Sequence, residues 1–337
     1  MSLSKGPDSA ALTDGFGRAI GDLRLSVTDR CNLRCVYCIP EETPTFQPRE
    51  ELLTFEELER VTSLFVAAGV SKVRLTGGEP LLRRDLPDLV KRVAAIEGVR
   101  DLAMTTNGIF LAKALPALQA AGLQRLNISL DTLRPERFRL LTRRGGLRKV
   151  VDSIRLARDS GIGQIKVNVV PLRGFNDDEV VAFGQFARDE GVIVRFIEFM
   201  PLEAGDVWTR EMLVPGAEIR DTLNAWNPIR PLDPTHDAET AERFAFEDGV
   251  GEIGIISPVT RAFCGACNRA RITADGKLRT CLFSLSEIDL KTPMRAGADD
   301  RELLDLIGGG WAAKEAGHLI NSSDFERPKR TMSAIGG

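Results

Sequence analysis

Six cysteines fall into two groups of three: Cys31, Cys35 and Cys38 toward one end, Cys264, Cys267 and Cys281 toward the other, with none left over. Thiolates hold iron–sulfur clusters, normally four to a cluster. The run Cys31-Asn-Leu-Arg-Cys35-Val-Tyr-Cys38 supplies three from one loop. It can hold three irons of a cubane and leave the fourth iron open to a substrate or cofactor. Cys264-Gly-Ala-Cys267, with Cys281 after a hairpin-like stretch, again supplies three and no obvious fourth. A second open iron has two readings, electron transfer or direct ligation of substrate. Zinc is the alternative at both places, as a three-cysteine site closed by histidine or as a structural knuckle. Only His236 and His318 are available for the first group, both remote in sequence, and zinc ribbons favour paired CxxC knuckles over CxxxCxxC.

The elements that must position these loops show as alternating patterns between about residues 22 and 198. Strand-like runs at 23–27, 72–76, 101–105, 125–130, 164–170 and 192–199 alternate with helical stretches at 55–68, 86–96, 111–121, 147–159 and 178–189. Thr54 and Glu57 have capping-box spacing for the first helix, and Gly69, Gly122, Gly161 and Gly191 each follow a helix. Six strand–helix repeats in series imply parallel strands with right-handed crossovers.

Two closures fit, a doubly wound sheet and an incomplete barrel. Along several strands polar residues alternate with apolar ones, as in Arg24, Ser26 and Thr28 against Leu23, Leu25 and Val27. A parallel strand covered by helices on both faces should be apolar on both, so one face here is wet. Edge strands also alternate, but four such strands exceed two edges. The expected fold is therefore α/β, an incomplete parallel (β/α)6 TIM-like barrel, with a C-terminal α+β extension carrying the second cysteine group. The expected boundaries are 1–20 as a flexible N-terminal segment, 21–200 as the partial barrel and 201–337 as the C-terminal region.

Arg24, Lys72, Arg74, Lys166 and Arg195 lie on the strands, and the alternation turns at least four of them inward. Inward cations need anionic partners, because an unpaired buried charge is costly. A triphosphate supplies several charges and suits the forked guanidinium. The alternative is internal pairing, for which Glu198 and Asp131 offer two carboxylates against five cations. The net charge of −3 gives no basic field for nucleic acid. The run 64–70 is far too short to span a membrane. A polar N-terminus without an apolar signal core reads as cytoplasmic, where thiols stay reduced and neighbouring cysteines serve as ligands rather than disulfides.

CxxxCxxC after the first strand, followed by Thr76-Gly77-Gly78-Glu79-Pro80 after the second, resembles the signature of the radical S-adenosylmethionine superfamily. Within it the chain is similar to the GTP 3′,8-cyclase family of molybdenum cofactor biosynthesis. That likeness rests on Phe263-Cys-Gly-Ala-Cys-Asn-Arg-Ala-Arg271, Thr105-Thr-Asn-Gly108, Asn127-Ile-Ser-Leu-Asp131, Lys166-Val-Asn168, Arg195-Phe-Ile-Glu-Phe-Met200 and the terminal Gly336-Gly337. The resemblance implies two 4Fe-4S clusters, on Cys31, Cys35 and Cys38 and on Cys264, Cys267 and Cys281. It places S-adenosylmethionine against Tyr37, Gly78, Ser129 and Met200. It places GTP on Arg24, Arg74, Thr105 and Lys166, with Lys72 and Arg195 as helpers and Arg269, Ala270 and Arg271 lining the second loop.

The implied reaction is hydrogen abstraction from C3′ of GTP by a 5′-deoxyadenosyl radical, attack on C8, and reduction to (8S)-3′,8-cyclo-7,8-dihydroguanosine 5′-triphosphate. Arg269, Arg271, Gly336 and Gly337 would act at the reacting centre, the glycine tail threading into the site. The implied partners are an external electron donor and cyclic pyranopterin monophosphate synthase, which takes the product onward. Monomer and homodimer both remain open. The rivals are a peptide-modifying twin-cluster radical enzyme and a non-catalytic electron-transfer protein. The first more often has a longer, cysteine-richer extension, and the second needs neither the glycine turn nor a basic lumen.

Overall fold

The computed structural model describes residues 11–39, 44–202 and 208–336. The strands are β1 Asp22–Ser26, β2 Lys72–Thr76, β3 Asp101–Thr106, β4 Arg125–Ser129, β5 Ile165–Val169, β6 Ile193–Ile197, β7 Ile229–Leu232, β8 Glu242–Phe246, β9 Glu252–Ile256, β10 Arg269–Ile272, β11 Lys277–Arg279 and β12 Ile288–Asp289. The helices are α1 Phe55–Ala67, α2 Leu86–Ala94, α3 Leu111–Ala120, α4 Pro135–Thr142, α5 Leu147–Asp159, α6 Val180–Glu190, α7 Gly216–Trp226, α8 Lys291–Arg295, α9 Asp300–Ala312 and α10 Met332–Ile335.

All the strands join one sheet in the order β12-β11-β10-β1-β2-β3-β4-β5-β6-β9-β8-β7. Strands β1 to β6 are parallel, and the C-terminal region adds one parallel strand at each flank, β10 beside β1 and β9 beside β6. Antiparallel β11 and β12 continue one edge, and β8 and β7 the other. One cavity is lined by Arg24 of β1, Arg74 of β2, Thr105 of β3, Ser129 of β4, Asn168 of β5 and Arg195 of β6, together with Ile256 of β9 and Arg271 of β10. A sheet whose eight central strands face one cavity is curved around it, as the wet-face alternation requires. The opposite face carries Leu23, Leu25, Val73, Leu75, Leu126, Ile128, Val167 and Val194, each at most 1% exposed in the core beneath the helices.

Local signals explain the frame. Thr54 Oγ1 accepts from Glu57 N and Glu57 Oε2 accepts from Thr54 N, closing the capping box of α1. A second box, Asp299 with Glu302, starts α9. Two corrections concern regions without a strong period. The hairpin β7–β8 lies partly in a stretch that reads as irregular. The segment expected to be flexible to residue 20 is packed from residue 11 onward: Leu12 N donates to Ala68 O, and Ile20 is 2% exposed. Residues 1–10 lie outside the described residues.

Glu198, 1% exposed, ties the barrel to the C-terminal region. Its carboxylate accepts from Gly216 N at 2.8 Å and from Val259 N and Thr260 N, both at 2.9 Å. Removing it orphans two buried amides, Gly216 N and Val259 N, and the partly buried Thr260 N, at a cost of about 1 kcal/mol or more each. Glu198→Ala is therefore expected to lower unfolding stability by about 3 kcal/mol. Urea midpoints under anaerobic conditions measure this, and an unchanged midpoint would show that water replaces the carboxylate.

Candidate functional site

All six cysteines line the one cavity. The first three are on the loop leaving β1, which is pinned from two sides. Arg34 N and Val36 N donate to Thr142 O and Leu141 O at the end of α4. On the other side the turn after β2 lies against the chain entering the loop, Gly78 N donating to Thr28 O at 2.8 Å and Glu79 N to Arg30 O at 2.8 Å. A Cβ on Gly78 would stand 2.4 Å from Arg30 O, so only glycine allows this approach. Glu79 is fully buried, and burial pushes its carboxyl up to about 7. It accepts from Thr106 Oγ1 and Asn107 N, both at 2.7 Å, and Asn107 Nδ2 donates to Cys31 Sγ at 3.7 Å.

The second three sit on a short turn at Cys264–Ala266 and after β11. Arg269 Nη2 donates to Cys267 Sγ at 3.2 Å, with its guanidinium 5.0 Å over the Phe263 ring. The electrostatic settings of the two groups differ. Burial raises Cys31 to about 11 and Cys38 to about 12. Burial would also raise Cys267, but Arg269 and Lys314 outweigh it and bring the thiol down to about 6. Each group offers three sulfurs within one cavity. Among the described residues no three His, Cys, Asp or Glu side chains converge as ligands of a single ion would. Three thiols from one stretch of chain lining a cavity are the donors an iron–sulfur cluster takes, so this donor set suits a cluster.

Tyr37, Gly78, Ser129 and Met200 line the cavity, as do Arg24, Arg74, Thr105, Arg195, Arg269 and Arg271. Tyr37 OH donates to Asp131 Oδ2 at 2.6 Å. Three expected residues are placed differently. Ala270 is 0% exposed in the core, because it alternates with Arg269 and Arg271 and its side chain faces away from the lumen. Lys72 lies off the cavity lining, 3.1 Å from His236 Nε2 and 3.8 Å from Asp101. Lys166 shares a face of β5 with lumenal Asn168 but lies below the lining. Of the tail, Met332 and Ser333 line the cavity and Gly336 O accepts from Arg271 Nη1 at 3.2 Å. Gly337 lies outside the described residues.

The lumenal cations have few partners. Neither Glu198 nor Asp131 pairs with them; Asp131 accepts from Tyr37 and from Val170 N. Arg195 is held by two amides, donating to Asn168 Oδ1 and Asn127 Oδ1. Arg24 Nε and Arg74 Nε are buried with no hydrogen-bond partner among the described residues. Burial, then Arg271 and Arg74, pull the Arg24 guanidinium well below its ordinary range. Asp22 is the carboxylate that acts on Arg24: burial would raise it, but Arg74, Arg24 and Arg269 hold it below the usual range. Asp22, with Asp101 acting on Arg74 and Glu239 on Arg195, is outnumbered by the guanidiniums, which leaves a cationic pocket that fits a polyanion.

Two residues, Arg18 and Lys314, have no signal in the sequence, and His318, which the sequence offers only as a remote zinc ligand, joins them at the site. Arg18, ion-paired with Asp14 at 2.6 Å, donates to Cys264 O at 2.8 Å, Ala316 O at 2.9 Å and Glu315 O at 2.6 Å. His318, remote from the first cysteines in sequence, lines the same cavity, and Gly317 beside it packs against Cys264. Lys314 is buried behind the second group. None carries a local motif; each is joined to the site by the fold alone.

Residues 25–187 match the radical SAM superfamily and residues 192–320 match Molybdenum Cofactor Synthesis C. The GTP 3′,8-cyclase of Rhodopirellula baltica is 46% identical, over 98% of this chain and 93% of that protein. The GTP 3′,8-cyclase of Pelotomaculum thermopropionicum is 44% identical over 97% and 100%. Molybdenum cofactor biosynthesis protein 1 of Homo sapiens is 45% identical over 98% of this chain, which spans 52% of that longer protein. Among solved structures, Streptococcus suis SuiB bound to S-adenosylmethionine superposes with a TM-score of 0.59, covering 91% of this chain and 76% of that one. At 14% identity that likeness is one of fold alone. With relatives this similar along nearly its whole length, the chain belongs to the GTP 3′,8-cyclase family of the radical SAM superfamily.

Proposed function

We propose that this chain converts GTP to (8S)-3′,8-cyclo-7,8-dihydroguanosine 5′-triphosphate, the first step of molybdenum cofactor biosynthesis. The observation that carries this reading is the pair of buried, unpartnered guanidinium nitrogens, Arg24 Nε and Arg74 Nε, in the same cavity as both cysteine triads. Cys31, Cys35 and Cys38 would hold one 4Fe-4S cluster and Cys264, Cys267 and Cys281 the other. When bound, S-adenosylmethionine with the first cluster supplies a 5′-deoxyadenosyl radical, and the second cluster supplies a Lewis-acidic iron for the base.

The chain's own part is positioning and exclusion. Tyr37, Gly78, Ser129 and Met200 would seat S-adenosylmethionine beside the first triad. Arg24, Arg74 and Arg195 would hold the triphosphate, with Lys166 behind them. Arg269 and Arg271 would set the base, and Gly336 would close the far side through Arg271. Fixing C3′ and C8 at contact distance would make ring closure effectively unimolecular, and exclusion of water by the bound ligands would protect the radical. The reading also calls for an external electron donor, onward transfer to cyclic pyranopterin monophosphate synthase and a cytoplasmic location. Free cysteines throughout suit a reducing compartment, and among the described residues no helix is long and apolar enough to cross a membrane.

The test is anaerobic reconstitution with reductant, followed by counts of iron and sulfide and by mass analysis of products. GTP-dependent 5′-deoxyadenosine and a cyclised nucleoside triphosphate are expected. Equal 5′-deoxyadenosine with and without GTP, and no cyclised product, would overturn the reading.

A pH dependence follows from Lys166. Burial, then Arg195 and Arg125, pull its amine down to about 8. A bound triphosphate favours the charged amine, so the complex holds a proton that the empty protein loses above about pH 8. GTP affinity is therefore expected to fall as pH rises through 8, by up to tenfold per unit for one linked proton. Titration calorimetry between pH 7 and 9.5 checks this, and Lys166→Met should flatten the slope.

A further inference from the structure

We propose that Lys314 is the built-in counter-charge of the C-terminal cysteine triad and raises the reduction potential of the cluster bound there. This rests on the reading that Cys264, Cys267 and Cys281 hold an iron–sulfur cluster. Lys314 follows α9 and is 4% exposed. Its ammonium donates to Arg269 O at 3.1 Å and to Thr280 O, and lies 4.7 Å over the Trp311 ring. Those carbonyls belong to the residue two past Cys267 and the residue just before Cys281, so one amine joins both arms of the triad.

Its charge has no ordinary partner. Among the described residues no carboxylate pairs with it; the anionic groups acting on it are Cys267 and Cys281, and the other charges are the cations Arg269 and Arg18. The neighbouring Glu315 side chain is exposed. Arg18 is already satisfied by Asp14, but Lys314 is satisfied by no acid among the described residues. A buried ammonium without an anion is costly, and a cluster on three thiolates is the anion that this position can have. The first triad has the opposite setting: Glu79 acts on Cys31 and Asp131 on Cys35, both buried acids.

Reduction adds one negative charge to a cluster. In a dry site a cation beside it favours the reduced form, and neighbouring charge is among the factors that set such potentials. Lys314 is also absent from the cavity lining, behind the triad rather than among the substrate contacts. Its effect should therefore appear in the potential without any nucleotide present.

The experiment uses the full chain with Cys31, Cys35 and Cys38 replaced by Ala, leaving one cluster, and reads its midpoint potential by EPR-monitored redox titration. Iron and sulfide are counted first; a parent with neither refutes the reading of Cys264, Cys267 and Cys281, and the proposal with it. Lys314→Gln, which retains a hydrogen-bond donor but no charge, is expected to keep its iron and shift to a lower potential, with Lys314→Arg close to the parent. Loss of iron in Lys314→Gln alone also supports the proposal, since charge is what Lys314→Arg retains. An unchanged potential in Lys314→Gln, an equal drop in Lys314→Arg, or loss of iron in both would overturn it.

Discussion

Replacing Arg24 with Met is expected to weaken GTP binding about 100- to 1000-fold and, in the nucleotide-free protein, to raise the melting temperature. The two effects have opposite signs because Arg24 is a buried cation awaiting an anion. Its Nε has no hydrogen-bond partner among the described residues, and its surroundings are the guanidiniums of Arg271 and Arg74 with Asp22 as the opposing charge. Removing one member of a buried charge pair costs about 3–4 kcal/mol; at about 1.4 kcal/mol per tenfold this is two to three decades in affinity. Without nucleotide the same substitution removes an uncompensated charge and leaves an apolar chain, which is neutral or stabilising. Calorimetry for the dissociation constant and anaerobic thermal melts check the two halves. Arg74→Met should show the same affinity loss with a smaller gain in melting temperature, because Asp22 opposes its charge more strongly than any like charge crowds it. If Arg24→Met lowered both affinity and melting temperature, the guanidinium would belong to an internal network and not to a phosphate site.

The barrel was legible because its signal is local. The period-two polarity of β1, β2, β4 and β5 reports which face is wet, and each strand carries that information in five residues. The cysteine loops were legible from spacing alone. What was not legible depends on pairing between distant segments. Nothing local places β10 beside β1, in register so that Arg271 lies opposite Arg24 and Arg269 opposite Asp22. That pairing brings the second triad to the mouth of the barrel and concentrates the guanidiniums. Arg18 reaches Cys264 across 246 positions, and its own segment, short and without a clear period, looks like a loose end. Its order comes from the ion pair with Asp14 and from Trp311 Nε1 donating to its carbonyl. Ala270 is different: the alternation that turned Arg24 inward also turns Ala270 outward between Arg269 and Arg271, so its placement could have been read from the strand.

Substituting Gly336 with Val, or removing Gly336 and Gly337, is expected to cut formation of the cyclised product at least about 100-fold while iron and sulfide content stay unchanged. Gly336 has φ +80°, and a Cβ there would lie 2.7 Å from Ser26 Cβ and 2.9 Å from Thr76 Oγ1. The left-handed conformation alone costs a side chain about 1–2 kcal/mol, and the overlap with β1 and β2 must then be relieved by withdrawing the tail. Withdrawal would break the contact from Arg271 to Gly336 O and free a guanidinium whose position the base would need. The clusters should survive because the anchor lies upstream: Ile335 is 1% exposed, and Ser333 N donates to Cys38 within α10. Cleavage of S-adenosylmethionine should therefore persist, uncoupled from product. The tail thus bridges the first triad, through Ser333, and the Arg269–Arg271 strand, through Gly336, so a change at its tip tests ring closure separately from radical generation. Full turnover by the truncated chain would show that the last two residues are only an end of the polypeptide.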